Sequence, residues 1–160
     1  MNIDFFKLTH NRTLLGAGPM SKNVVDCVIE VSNSRSVPIM LIASRRQIDS
    51  EEFGGGYVNN WSTSQFCNYV RGKDKKRSVI LCRDHGGPWQ NSVEVNSNLS
   101  LSAALDSCKN SFKNDIDAGM QVLHLDPSID IHGVPSHEEV IDRLFDLYSF
   151  CYSYAKSKGK

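Results

Sequence analysis

Ser78-Val79-Ile80-Leu81-Cys82-Arg83-Asp84-His85-Gly86-Gly87-Pro88 is the stretch of sequence that decides the fold. It begins with a short apolar run that contains β-branched residues, which is typical of a buried strand. We predict that this strand covers Val79 to Cys82 and that the chain breaks at the Gly-Gly-Pro turn. The carboxylate and imidazole that follow the strand would then lie at its carboxyl end, where parallel α/β folds bind their ligands.

The adjacent pair Asp84 and His85 has two interpretations. In the functional one, a carboxylate transfers protons beside a neutral imidazole that binds a metal ion. In the structural one, Asp84 caps a turn and His85 bonds to the backbone, since such residues are common in turns. The dipeptide alone does not decide between them.

Strand and helix signals alternate four times along the chain. The predicted strands cover residues 14–18, 38–43, 79–82 and 121–125. The helices between them begin at polar caps, with Ser21 before the first helix and capping boxes at Ser62 and Ser136. Their apolar residues recur every three or four positions: Val24, Cys27, Val28 and Val31; Phe66, Cys67 and Val70; Leu101, Leu105, Cys108, Phe112 and Ile116; Val140, Leu144, Leu147, Cys151 and Tyr154.

This alternation predicts an α/β fold of TIM-barrel type, a (βα)4 half-barrel that corresponds to the N-terminal half of a (β/α)8 barrel. A closed barrel typically needs about 250 residues, whereas this chain has 160. We therefore predict one partial TIM-barrel domain over residues 1–160, with an N-terminal extension at 1–10 and a polar tail at 156–160. Its first and fourth strands would form apolar edges without partners.

An open four-stranded sheet is the alternative. It is favoured by the turn Gly16-Ala17-Gly18-Pro19, which partly matches a dinucleotide-binding fingerprint. That fingerprint needs a third glycine where Ser21 stands and does not accommodate Pro19.

Composition excludes several classes of function. The 18 Lys and Arg residues balance the 18 Asp and Glu residues, so no long-range field favours nucleic acid or an anionic membrane. The longest apolar run, Val37 to Ala43, is too short to span a bilayer, and the N-terminus lacks a signal peptide's apolar segment. The five cysteines form no CxxC pair, which indicates reduced thiols in a cytoplasmic protein.

Several blocks of the sequence occur together, and in the same order, in one known family. These blocks are Asn11-Arg12-Thr13-Leu14-Leu15-Gly16, Gly55-Gly56-Tyr57, Asp84-His85 with Gly87-Pro88 and Gln90, and His124-Leu125-Asp126-Pro127-Ser128. Over most of residues 11 to 130 the chain resembles the class II D-tagatose-1,6-bisphosphate aldolases, and most closely their accessory, non-catalytic subunits. The fold of that family is a TIM barrel.

The resemblance implies roles for three residues. Asp84 matches the carboxylate that gives and takes a proton at the substrate hydroxyl, His85 matches the first of three zinc-binding histidines, and Asp126 matches an acidic residue that supports the metal site. The family's other two zinc histidines follow the seventh and eighth strands, which lie outside this sequence. We expect His124 to be a packed strand residue, the zinc site to be incomplete, and the chain alone to bind zinc weakly and to show no aldol cleavage.

Arg46, Gln47 and Ser128 are the candidates for substrate binding. Gln47 is retained from the family pattern, whereas Arg46 replaces an amide residue that is common there. Arg46 could bind a sugar phosphate or pair with Asp49 or Glu51.

The resemblance therefore implies a component of an aldehyde-lyase system of carbohydrate metabolism. This system would cleave tagatose 1,6-bisphosphate into dihydroxyacetone phosphate and glyceraldehyde 3-phosphate. The chain could take part in the chemistry, could stabilise a catalytic aldolase partner without catalysing, or could be an inactive N-terminal fragment. Its expected partners are a phosphorylated ketose and either a catalytic aldolase subunit or a second copy of the chain.

Overall fold

The structure is a computed structural model that describes residues 9–10 and 13–160. Asn11 and Arg12, and all of the predicted N-terminal extension except residues 9–10, lie outside the described residues. Within these residues the strands are β1 (Leu15–Ala17), β2 (Ile39–Ser44), β3 (Val79–Gly86) and β4 (Val122–Leu125). The α-helices from Leu15 onward are α1 (Lys22–Arg35), α2 (Thr63–Lys73), α3 (Ser92–Asn96), α4 (Leu101–Ala118) and α5 (His137–Ser157). A short 3₁₀ helix covers Glu51–Phe53.

The strands form one parallel sheet in the order β1-β2-β3-β4, which confirms the predicted α/β class and the strand order. Each strand pairs with the next one along the chain, so every crossover steps in the same direction across the sheet. Because such crossovers are right-handed, they place the helices on one face. This arrangement is consistent with a half-barrel.

Alternate strand residues separate the two faces of the sheet. Ile39, Leu41 and Ala43 of β2 are buried under the helices, whereas Met40 and Ile42 between them are only half-buried. One apolar cluster joins α1 and α2 to β2 and β3, and a second joins α4 to α5. The predicted caps at Ser21, Ser62 and Ser136 are present, and both capping boxes are complete.

The predicted apolar stripe of α1 is partly wrong. The buried positions are Val25, Val28, Ile29 and Ser32, whereas Val31 is exposed and so is the thiol of Cys27. Of the predicted stripe, Val28 is buried and Val24 is partly buried against the same cluster, so the stripe runs along one side of the buried face. The other four cysteines are buried and free, and burial raises the pKa of Cys67 and Cys82 to about 12.

Two buried arginines connect the sheet to the helices. Arg83 on β3 forms a two-point ion pair with Asp115 of α4 and donates to the carbonyl of Ile48. Arg45 pairs with Asp49 and Glu94. The alternative in which Arg46 pairs with Asp49 or Glu51 is not found in the described part of the chain, where Asp49 pairs with the neighbouring Arg45. No helix in the described part of the chain is long and apolar enough to cross a membrane.

Candidate functional site

The end of β3 is longer and more irregular than its sequence predicts. The strand continues from Cys82 to Gly86, so Asp84 and His85 are strand residues and do not belong to a turn. Between Arg83, which pairs with Leu123, and Gly86, which pairs with Leu125, the register shifts. Two residues of β3 therefore face the single residue His124 of β4, which is the arrangement of a β-bulge.

Backbone strain accompanies the bulge. His85 has a φ of 45°, a left-handed conformation that is uncommon for residues other than glycine. Such strain persists only where the surrounding structure enforces it, and it occurs often at functional sites. Here the bulge directs the side chains of Asp84 and His85 toward the same end of the sheet.

The two glycines after His85 allow the ends of β3 and β4 to approach closely. A Cβ atom on Gly87 would lie only 1.8 Å from the carbonyl oxygen of Asp126, and one on Gly86 would lie 2.5 Å from the ring of Phe112. The N–H of Asp126 donates to the carbonyl of Gly86 over 2.8 Å. This close packing places the Asp126 carboxylate beside the His85 ring.

Asp126 holds the His85 ring. Nδ1 of His85 lies 2.6 Å from Oδ2 of Asp126, and Gln90 donates to the same oxygen over 3.2 Å. The hydroxyl and the N–H of Ser128 donate to Oδ1. The hydrogen bond to Asp126 raises the pKa of His85. Burial alone would raise the pKa of Asp126, but the hydrogen bonds from His85 and Ser128 outweigh it and lower that pKa.

His124 completes a cluster of three donor side chains, and its prediction as a packed strand residue is wrong. Its side chain is 54% exposed because its neighbours Leu123 and Leu125 pack toward the helices and side chains alternate along a strand. Nδ1 of His124 lies 3.5 Å from Oδ1 of Asp84, and Nε2 of His85 lies 3.8 Å from that same oxygen. One donor atom from each of the three residues lies within 4.8 Å of the other two, so together they could hold a metal ion. Side chains alternate between the two faces of a strand, and applying this rule to β4 would have predicted that His124 points away from the helices.

The exit of β2 borders the same edge of the sheet. Ser44 pairs in register with Asp84, and the side chain of Gln47 accepts from the N–H of Ser44 over 2.9 Å. The amide of Gln47 also lies 3.0 Å from the sulfur of Met20, which follows β1. Arg46 is exposed, and within the described part of the chain no acidic group forms an ion pair with it. Gln47 and Ser128 are thus occupied by internal hydrogen bonds, whereas Arg46 is available to a ligand.

Two surface clefts lie away from this cluster. One is lined by residues of α1 and α2, including Asp26, Ile29 and Lys73. The other lies near the amino ends of β3 and β4 and includes Val79 and Gln121. Neither cleft contains Asp84, His85 or Asp126.

No known family model matches the chain, and no curated protein sequence matches it either. Its fold is similar to the crystal structure of a probable tagatose 6 phosphate kinase from Sinorhizobium meliloti 1021, with a TM-score of 0.73 and 18% sequence identity. The similarity covers 89% of this chain and 37% of that chain. The chain thus spans less than half the length of this neighbour, and at such an identity the likeness concerns the fold alone.

Proposed function

We propose that this chain is a component of a class II, metal-dependent ketose-bisphosphate aldolase system that cleaves tagatose 1,6-bisphosphate into two triose phosphates. The observation that carries the proposal is the position of the Asp84 carboxylate, 3.8 Å from the Nε2 atom of a histidine whose Nδ1 is held by Asp126. The ordered sequence blocks shared with that aldolase family support it. The name of the structural neighbour, which refers to a tagatose phosphate, also agrees with a role in carbohydrate metabolism.

We also propose that the four-stranded sheet is half of a TIM barrel. Parallel strands in chain order, with helices on one face, are the unit from which a (β/α)8 barrel is built, and such a barrel contains eight strands. The described strands number four.

The residues of the site have separable tasks in this proposal. Asp84 transfers the proton at the substrate hydroxyl, because it is a half-exposed carboxylate at the strand end. His85 provides a metal ligand through Nε2, and Asp126 fixes the orientation of its ring. A bound zinc ion would stabilise the negative charge that develops on a carbonyl oxygen during aldol cleavage.

Arg46 is the candidate for the substrate phosphate. Its guanidinium is exposed at the exit of β2, next to Gln47, and planar guanidinium groups bind phosphate through two parallel hydrogen bonds. Gln47 and Ser128 would act indirectly, since the first holds Ser44 and the second holds Asp126.

A stabilising role without catalysis is the second candidate. It is favoured by the exposed apolar residues at the open edges of the sheet and its helices, among them Leu15 on β1 and Tyr148 on α5. An edge of this kind is suited to contact another chain. In that case the strand-end cluster would be inherited without being used in the reaction.

The test is an assay of triose phosphate release from tagatose 1,6-bisphosphate by a purified catalytic class II subunit, with and without this chain. We expect the chain to stimulate the reaction, and Asp84→Asn to abolish the stimulation while Asp142→Asn, on the exposed side of α5, preserves it. Stimulation that survives Asp84→Asn would assign the stabilising role. No stimulation by the wild-type chain, together with no cleavage by the chain alone, would overturn the aldolase proposal.

A further inference from the structure

The β-bulge brings together donors that a regular strand would separate. Asp84 and His85 are consecutive residues, and in an unbulged strand their side chains would point to opposite faces. The register shift between Arg83 and Gly86 and the positive φ of His85 turn both toward His124. Two imidazoles and one carboxylate therefore meet across β3 and β4.

The separations between these donors match those of a small tetrahedral metal site. Zinc binds histidine nitrogen and carboxylate oxygen at about 2.0–2.2 Å, so two of its ligand atoms lie about 3.4 Å apart. Oδ1 of Asp84 lies 3.5 Å from Nδ1 of His124 and 3.8 Å from Nε2 of His85. The donor atoms of His85 and His124 lie within 4.8 Å of each other, so a cation could bind after side-chain adjustments of about an ångström.

Hydrogen bonds also hold one ring of the cluster in place before a metal ion binds. Asp126 lies against Nδ1 of His85 and leaves Nε2 directed at Asp84, which is the carboxylate–histidine arrangement found behind many metal ligands. Gln90 and Ser128 hold Asp126 in turn. These three residues therefore fix the orientation of the His85 ring in the metal-free protein.

The ring of His124 is held less firmly. Its Nδ1 accepts a hydrogen bond from the backbone N–H of His85 over 3.3 Å, which is long for such a bond. The leucines on either side anchor the backbone, while the ring itself is exposed. A metal ion can therefore displace this weak contact without cost to the core.

We propose that, while no substrate is bound, Asp84, His85 and His124 together bind one divalent transition-metal ion, in place of the incomplete zinc site expected from the sequence. Substrate would replace Asp84 at the ion and so release this carboxylate for the proton transfer assigned to it above. Two imidazoles and a carboxylate are a ligand set of catalytic zinc sites, in which a fourth position stays open to water or substrate. Mg²⁺ and Ca²⁺ prefer oxygen ligands and are disfavoured here. This is the same site as in the proposed function, and the choice of zinc rests on that function. The ligand set is inferred from the geometry of β3 and β4.

The test uses the full chain carrying Cys27→Ser, which removes the exposed thiol as a competing metal ligand. Metal-free protein is titrated with Co²⁺, followed by its visible absorption, and with Zn²⁺ by calorimetry, both without sugar phosphate. We expect one ion per chain. His124→Ala should lose stoichiometric binding, Asp126→Asn should weaken it about 10–100-fold, and His137→Ala, at the exposed start of α5, should leave it unchanged.

Circular dichroism and thermal unfolding of each variant verify that the fold is retained. Equal affinity in the wild type and the His124→Ala variant would overturn the proposal, as would the absence of Co²⁺ binding by the wild type. Because no substrate is present, a failed aldolase assay with intact metal binding would reject only the proposed function. A wild-type chain that binds no metal ion would reject this inference, whatever the result of the aldolase assay.

Discussion

Nδ1 of His85 lies 2.6 Å from Oδ2 of Asp126, so a carboxylate at the end of β4 holds an imidazole at the end of β3. The contact joins two adjacent strands that the sequence separates by 41 residues. It raises the pKa of His85 above its ordinary value of 6.5. A raised pKa in the folded state stabilises the fold at pH values below 6.5, and this contribution is lost as the pH rises through the folded-state pKa.

Asp126→Asn should therefore lower the pKa of His85 and destabilise the metal-free protein more at pH 5.5 than at pH 8.5. Histidine resonances followed by NMR in the presence of EDTA give the pKa, and urea unfolding at the two pH values gives the stability. Asp142→Asn, on the exposed side of α5, is the matched control and should leave the His85 resonances as they are in the wild type. An unchanged pKa of His85 would contradict the assigned contact.

Gly87→Ala tests the close approach of the two strand ends. The added Cβ would lie 1.8 Å from the carbonyl oxygen of Asp126, so the backbone must move, at a cost of about 1–3 kcal/mol. Gly72→Ala in α2 is the matched control because a Cβ there meets nothing within 4 Å. That control should be neutral or should stabilise the helix by up to about 1 kcal/mol. Urea unfolding compares the two, and equal stabilities would show that the approach of β3 and β4 is not tight.

Asp115→Asn tests the buried ion pair between β3 and α4. Arg83 and Asp115 are both fully buried, and removing one charge leaves the other unpaired, which costs about 3–5 kcal/mol. Asp106→Asn, at an exposed position of the same helix, should stay within about 0.5 kcal/mol of the wild type. Denaturant unfolding measures both, and a small loss for Asp115→Asn would mean that water reaches Arg83.

Much of this architecture could be predicted from local patterns in the sequence. The apolar runs around Leu41 and Leu81 and the serine caps each depend on contacts within a few residues, so the local sequence is enough to predict them. Asp126 lies beside His85 because neighbouring parallel strands end at the same edge of a sheet. The roles of Asp84, His85 and Asp126 stay predictions.

The missed features depend on contacts between distant residues. Whether β3 ends at Cys82 or continues to Gly86 depends on its pairing with β4. The sequence of β3 alone does not contain this information. The bulge that gathers Asp84, His85 and His124 arises from the same pairing. Arg45 rather than Arg46 takes Asp49 because the turn after β2 points the first side chain inward, toward Glu94. The short helix α3, Ser92–Asn96, carries Glu94 into that buried position.

The open edges of the sheet give the last prediction, which is self-association. Leu15 on the β1 edge is 64% exposed. On α5, Phe150 and Tyr154 contact the side of α4 through Lys113 and Asp117. Tyr152 lies two residues from each of them, about 200° around the helix, and therefore points away from α4. It stacks on Tyr148, which is also exposed, beyond the last strand of the sheet.

Strand edges and aromatic residues of this kind are stabilised when another chain covers them. Two copies could close an eight-stranded barrel, with β4 of each copy beside β1 of the other. We expect sedimentation at micromolar concentration to show a dimer, and the pair Tyr148→Glu and Tyr152→Glu to shift it toward monomer. Tyr57→Glu, in a loop and as exposed at 58% as Tyr152 at 57%, should leave the dimer intact. A wild-type chain that sediments as a monomer and unfolds cooperatively would show that these edges are stable in water.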